Sequence, residues 1–387
     1  MSRYRWVVLA LGMGAQAAFA AVMQGLPAIG PALRSQYGLS LPALGATFGA
    51  LTLGATLTLV PWGMLTDRLG ERRTLVVGMA GLAVAMWAAT LGGAGVLVAA
   101  LAAGGAFGAV ANVASGSAVS RWFRASERGL AMGLRQAAVP LGGALAAVTL
   151  PVLAAGDVRT ALAVLAVACF AAAAACAVWV RTPARGAAGR GPGPLGDRRI
   201  WRLAGGSALL ITTQIAVVAF VVVYLHDERG FSNPAAGAVL AVISVAGMGG
   251  RVAAGRWSDR LVLRLGPLRR IAVATAAAWA IIPFLLNGPD ALVVAAVVVG
   301  GTLASSWNGL SFTATAEFAT GGRAATAIAL QQTALFATAA VVPPLFGALA
   351  QSAGWRVAFW ALAAGPALAW WVLAPLASTE RASLTAD

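Results

Sequence analysis

Long apolar stretches alternate with short polar ones along nearly the whole chain. Twelve apolar blocks can be drawn, at roughly 5–27, 42–65, 74–93, 95–119, 130–155, 158–180, 203–226, 235–257, 271–287, 290–316, 324–350 and 354–376. Most run to about 18 residues or more with few charges, enough to carry a helix across about 30 Å of hydrocarbon. The breaks between them are short, with one exception. Residues 181–202, "RTPARGAAGRGPGPLGDRRIWR", are rich in Gly, Pro and Arg and read as a polar linker. The pattern therefore predicts an all-α membrane protein of 12 transmembrane helices. It has an N-terminal six-helix bundle over 1–180, a linker over 181–202 and a C-terminal six-helix bundle over 203–387.

Composition agrees with the pattern. Of the 387 residues, 60% are hydrophobic and 10% charged, whereas a soluble domain is nearer about half apolar and about a quarter charged. The start, "MSRYRWVVLALGMGAQAAFA", imitates a signal peptide, but its apolar run continues to about Leu26, so it reads as an uncleaved first span. The net charge of +15 is carried entirely by arginine on the basic side, since the chain has no lysine. Such a charge can signal nucleic-acid binding, yet here the arginines fall between the apolar blocks, where they orient helices. With the N-terminus inside, 21 of the 27 lie on the cytoplasmic side, and only Arg34, Arg159, Arg229 and Arg356 lie outside. Several tryptophans (Trp6, Trp62, Trp122, Trp179, Trp201, Trp257) sit near cytoplasmic ends, as interfacial rings do. Both termini are thus expected in the cytoplasm, with the protein in the cell inner (plasma) membrane. Cys169 and Cys176 are seven helical residues apart, about 10 Å, too far for a disulfide. His226 is the only histidine, which argues against a histidine-based metal site.

The two halves share phrases. "GMLTDRLGERR" (Gly63 to Arg73) follows the second block, and "GRWSDR" (Gly255 to Arg260) follows the eighth, 192 residues later. "RGLAMGLRQ" (Arg128 to Gln136) opens the fifth block, and "RAATAIALQ" (Arg323 to Gln331) opens the eleventh, 195 residues on. Two related halves in parallel orientation follow, a symmetry typical of secondary transporters.

The phrase Gly63-x-x-x-Asp67-Arg68-x-Gly70-x-Arg72-Arg73 resembles the loop signature of the major facilitator superfamily. The second copy keeps Gly255, Asp259 and Arg260, then inserts "LVLRLGP" before Arg269-Arg270. The resemblance covers the whole chain: twelve spans, a six-plus-six repeat and a long central loop. It implies a transporter working by alternating access, with these loops as a conformational switch. It also implies that Asp67 lies near a helix N-terminus of the other half, that of span eleven, where the dipole favours a carboxylate.

Two arginines fall within spans. Arg251 precedes Asp259 by eight residues, about 12 Å of helix, and Arg135 follows Arg128 by seven, about 10 Å. A charge in a span costs about 2.5–3.5 kcal/mol on the lenient insertion scale, so it usually faces a cavity or a partner. Each also breaks the repeat: Arg251 matches Leu59 and Arg135 matches Leu330. The alternative for both is snorkelling to the interface. No Asp or Glu lies deep in a span, and Glu317 comes closest. An anionic substrate can supply the countercharge, and the arginine fork binds a carboxylate in two places.

Neutral polar residues add candidate lining. Gln16 and Gln24 share a face of span one, and Asn112 and Ser115 a face of span four. Thr213 and Gln214 belong to span seven, with Tyr224 near its outer end. Ser305 and Asn308 share a face of span ten, and Gln331 and Gln332 lie in span eleven. Such groups also serve as helix-packing contacts. Gln136 and Gln331 recur in both halves, which favours a structural part. "VPLGG" (Val139 to Gly143) resembles the span-five signature of proton-coupled drug exporters, with one residue rather than two between the proline and the glycine pair.

These readings converge on a secondary transporter of a small solute, most simply a symporter of a small organic anion such as a monocarboxylate. A proton-coupled drug or metabolite exporter is the alternative. An ATP-driven pump is disfavoured, since a phosphate loop of the Gly-x-x-x-x-Gly-Lys type needs a lysine. No dyad of His, Cys or paired carboxylates within the spans points to an enzyme. A non-transporting sensor would need signalling segments that the short tails do not offer. Expected partners are a small-molecule substrate, the lipid bilayer and protons as a candidate coupling ion. No nucleic acid, cofactor or metal is expected, and the chain is expected to be a monomer.

Overall fold

The computed structural model describes residues 3–39, 41–181, 193–319 and 321–385. All regular structure among them is helical. In chain order the α-helices are α1 (Tyr4–Gly25), α2 (Gly30–Tyr37), α3 (Leu41–Leu69), α4 (Glu71–Ala88), α5 (Ala94–Gly108), α6 (Val110–Trp122), α7 (Ala125–Ala154) and α8 (Val158–Trp179). There follow α9 (Arg198–Asp227), α10 (Asn233–Leu261), α11 (Leu265–Leu285), α12 (Asp290–Ser305), α13 (Asn308–Phe318), α14 (Ala324–Ala353), α15 (Trp355–Ala361), α16 (Ala364–Val372) and α17 (Ala374–Thr385). Half of the polar linker, 182–192, lies outside the described residues.

Ten stretches of helix among the described residues are long and apolar enough to cross a membrane. The other two apolar blocks differ for local reasons. The third is α4, an 18-residue helix whose first turn is Glu71-Arg72-Arg73. The twelfth is interrupted at Leu362-Ala363, between α15 and α16. Two further blocks are single spans made of two helices. α5 passes into α6 at Ala109, and α12 passes into α13 through Ser306 and Trp307.

The chain forms two compact units. Unit 1 comprises 1–124, 135–196 and 319–333, and unit 2 comprises 125–134, 197–318 and 334–387. Each unit thus includes the first turns of a helix, α14 for unit 1 and α7 for unit 2, whose remainder belongs to the other. In unit 1, α3 lies along α5, where Thr58 Oγ1 and Trp62 Nε1 donate to the Ala106 carbonyl at 2.8 and 2.6 Å. In unit 2, an aromatic cluster of Tyr224, Trp279, Phe346, Trp355 and Phe359 fills the space between helices. Apolar side chains such as Leu57, Val84, Val148, Phe170, Phe284 and Trp371 are left exposed. That is expected of a surface whose solvent is lipid.

Candidate functional site: two helix-end clasps and two buried arginines

The repeated phrase sits at the ends of α3 and α10. In unit 1 the Asp67 carboxylate accepts from Ala325 N at 3.1 Å, Thr326 N at 2.8 Å and Thr326 Oγ1 at 2.6 Å. Those are the second and third residues of α14, where backbone N–H groups have no partner inside the helix and the dipole is positive. Gly63 explains how α3 comes so near. A Cβ there would lie 2.7 Å from Ala329 Cβ and 2.9 Å from the Ala325 carbonyl oxygen. Gly70 starts α4 at φ 89°, a left-handed conformation that favours glycine. Arg72 donates from Nε to the Ala177 carbonyl near the end of α8 at 3.1 Å. Arg68 and Arg73 are exposed. A cleft of about 420 Å³, lined by Met64, Asp67, Arg68, Pro194, Arg323 and Thr326, opens beside the clasp.

Unit 2 has its own clasp. Asp259 accepts from Gly129 N at 2.9 Å and Leu130 N at 2.7 Å, near the start of α7. Gly255 here matches Gly63: a Cβ would lie 2.2 Å from the Gly129 carbonyl oxygen. Arg260 is exposed. The carbonyl of Ala125, the usual helical partner of the Gly129 amide, accepts from the Arg264 guanidinium.

Each clasp carries an ion pair that reading the motif alone did not single out. In unit 1, Arg121 at the end of α6 meets Glu71 at 2.8 Å and Asp67 at 3.9 Å, and Ser117 Oγ donates to Glu71 at 2.8 Å. In unit 2, Arg264 meets Asp259 at 2.7 Å and Glu317 at 3.2 Å, and Arg128 meets Glu317 at 3.5 Å. Burial alone would lower the Arg264 pKa, but Glu317 and Asp259 outweigh it and hold the guanidinium above its ordinary value. Glu380 on α17 accepts from Arg264 N at 2.6 Å and Leu265 N at 3.0 Å, capping α11. Its own pKa is raised, because burial outweighs those amide bonds. A signal for these pairs existed in the repeat. Arg264 stands 193 residues after Glu71, and Glu317 stands 196 after Arg121. The signs are exchanged, which hid the correspondence.

The intraspan arginines are both buried, so neither snorkels outward. Arg135 is fully buried in unit 1. Its Nε donates to Ser115 Oγ at 2.8 Å, one terminal nitrogen to Gln136 Oε1 at 2.8 Å and the other to the Asn112 carbonyl. Gln16 Nε2 closes the network, donating to Gln136 Oε1 at 3.2 Å and Asn112 Oδ1 at 3.4 Å. Three predicted lining residues, Gln16, Asn112 and Ser115, thus gather around Arg135 together with Gln136. Arg251, 7% exposed, lies in unit 2 with Nε donating to the Ser305 carbonyl at 2.8 Å. Ser305 ends α12, so the arginine is held at the break in that span.

The other candidates scatter. Gln24 is exposed on α1, facing Gly143 of the "VPLGG" stretch. Thr213 donates to the Leu362 carbonyl at 2.7 Å. Gln214 is half-buried on α9. Tyr224 is stacked into the aromatic cluster, 4.9 Å from Phe359 and 5.4 Å from Trp355 between ring centres, where packing accounts for it. Asn308, Gln331 and Gln332 are buried.

Comparison with known proteins agrees with this architecture. The family model described as Major Facilitator Superfamily matches residues 11–335. The chain is 34% identical over 368 residues to the uncharacterized MFS-type transporter Rv2994 of Mycobacterium tuberculosis, covering 92% of this chain and 82% of that one. Among solved structures it resembles the proton:xylose symporter XylE (TM-score 0.78, 14% identity, 96% and 95% of the two chains). It also resembles the human organic anion transporter MFSD10 (TM-score 0.77, 15% identity, 96% and 100%). At such identities the likeness to both structures is one of fold.

Proposed function

The chain belongs to the major facilitator superfamily, a multi-pass membrane secondary transporter and not an enzyme, and from that premise we propose that it moves a small organic anion bound at Arg251. The position of Arg251 carries this reading. It is buried inside a span, about 12 Å of helix from Asp259, and its Nε is anchored on a backbone carbonyl at a helix break. Anchoring one edge of the guanidinium orients the rest of the fork, which is how arginine gains selectivity for a carboxylate. Arg135 has a structural part: its Nε and both terminal nitrogens bond to Ser115, Gln136 and Asn112, which ties α6 to α7.

The clasps supply the switch. In the alternating-access cycle, the α3–α14 and α10–α7 contacts form in one state and release in the other. Protein carboxylates cluster at helix ends, so coupling to protons runs through the ionisation of the substrate or is replaced by anion exchange. The arginine-rich end is the cytoplasmic one.

Binding to the purified protein tests the anchor. Arg251→Lys keeps the charge and loses the fork, so affinity for a probe such as butanoate falls about tenfold or more. Arg251→Gln abolishes it, with the fold retained by circular dichroism. Antiport of a lipophilic cation driven by a pH gradient, indifferent to Arg251→Gln, would overturn this in favour of a drug exporter.

A further inference from the structure

We propose that the substrate carries hydroxyl groups beside its acidic group, and is a small polyhydroxylated carboxylate. This rests on the reading of Arg251 as the anion anchor and adds the other end of the ligand. Four buried polar atoms in unit 2 have no hydrogen-bond partner among the described residues: Thr315 Oγ1, farther along α13, and a group of three, Trp307 Nε1, Asn308 Oδ1 and Gln214 Oε1. Buried polar groups are almost always satisfied, so three together call for an explanation.

They fall at one level of the unit. Trp307 and Asn308 form the junction of α12 and α13, one residue beyond Ser306 and two beyond the carbonyl that holds Arg251. α9 packs against both helices, and Ser207 Oγ meets Ser311 Oγ at 2.6 Å. α9 leaves the end where Arg198 lies, and α13 returns to the end where Glu317 pairs with Arg264, so the two run antiparallel. Gln214 is seven residues beyond Ser207, on the same face and about 10 Å along. Counting back equally from Ser311 reaches Ala304, within about one turn of Trp307 and Asn308. On the other side α10 closes in, with Gly250 against Ser306 Oγ and Gly247 against Ser305.

Packing does not account for the open indole. Trp279, equally buried in the same unit, donates its Nε1 to the Gly300 carbonyl at 3.2 Å, and Trp62 and Trp360 likewise find carbonyls. Trp307 is 1% exposed and finds none. The open set is one donor and two acceptors. A hydroxyl donates and accepts, so neighbouring hydroxyls on one ligand satisfy all three. An ammonium would serve the two acceptors, leave the indole unpaired and oppose Arg251. An unsubstituted alkyl acid would leave all three open. Trp307 and Asn308 are 1% and 6% exposed, so the proposal requires the α12–α13 junction to open during the cycle.

The test is titration calorimetry on the full chain in nanodiscs with three four-carbon probes: 2,3,4-trihydroxybutanoate, butanoate and erythritol. The expected result is at least tenfold tighter binding of the trihydroxy acid than of butanoate. That ratio falls below threefold in Trp307→Phe and in Asn308→Leu, and Arg251→Gln loses the trihydroxy acid. The wild-type comparison needs no variant, so a misfolded mutant does not blur it. Equal affinity for the two acids, both lost in Arg251→Gln, overturns this inference and leaves the anion reading standing. Erythritol binding as tightly as the acid, untouched by Arg251→Gln, overturns both. Binding of none of the three overturns the inference as well.

Discussion

The two clasps use one device and differ in what surrounds it. Asp67 and Asp259 each accept from two consecutive amides near the start of a helix, and each lies four residues after a glycine that lets the backbones close. The supporting ion pairs have opposite sense. Unit 1 places the acid, Glu71, at the start of α4 and the base, Arg121, at the end of α6. Unit 2 places the base, Arg264, in the loop and the acid, Glu317, at the end of α13. The carboxylate on the amides is therefore the shared requirement, and the sign of the neighbouring pair is free provided it balances. Strength differs as well. Asp259 has a buried guanidinium at 2.7 Å, whereas Asp67 has Arg121 only at 3.9 Å. Asp67 gains a third bond instead, from Thr326 Oγ1 at 2.6 Å, so the expectation that the Asp67 clasp yields first rests on its weaker ionic support.

The largest expected effect is on Arg264. Removing one partner of a buried charge cluster leaves the rest uncompensated, so Arg264→Ala lowers unfolding stability by about 3 kcal/mol. Arg121→Ala, in the looser clasp, costs about 1–2 kcal/mol. Denaturation in detergent compares them, and equal losses would erase the distinction. Next is the exchange of signs. Glu71→Arg and Arg121→Glu each cost about 1–2 kcal/mol alone, and the double variant recovers most of that. A double-mutant cycle reads the coupling, and additive losses would show that sign exchange is not tolerated.

A smaller effect lies in the backbone. Val262, at φ 53°, stands 192 residues after Gly70 and is the only non-glycine with positive φ among the described residues. A β-branched residue is strained there, so Val262→Gly stabilises by about 1 kcal/mol. The smallest effect concerns Asp197, the N-cap of α9. Arg199 holds its pKa below the ordinary carboxylate value. Its contribution is present above that ordinary value and is lost as pH falls through the depressed one. Asp197→Ala therefore costs about 1 kcal/mol at pH 7, and the difference from the parent shrinks in acid. A constant difference across pH would remove the ionic part.

Much of this was legible in the chain because lipid constrains it so strongly. Spans must be largely apolar, so ten of the twelve blocks can be read directly as membrane-crossing helices, and the repeat follows from the charged phrases that end them. Asp67 and Asp259 stood out because an acid between arginines has no use in topology. Arg251 stood out as a charge where its repeat has leucine. Glu71, Arg121 and Arg264 did not, since charges at helix ends also serve orientation and their pairing joins residues 50 and more apart. Tyr224 illustrates the opposite case. A polar tip suggested lining, and the structure places the ring beside Trp355 and Phe359 in the aromatic cluster. Trp307 gave no signal at all, because an indole without a partner looks in sequence like any buried aromatic.

Amide hydrogen exchange on the wild-type protein tests most directly the claim that the Asp67 clasp is the yielding one. Ala325 and Thr326, whose acceptor Asp67 has Arg121 only at 3.9 Å, are expected to exchange faster than Gly129 and Leu130, whose acceptor Asp259 has Arg264 at 2.7 Å. Asp67→Asn should widen that gap and Arg264→Ala should close it. Equal protection of the two pairs, or faster exchange at Gly129 and Leu130, would contradict it.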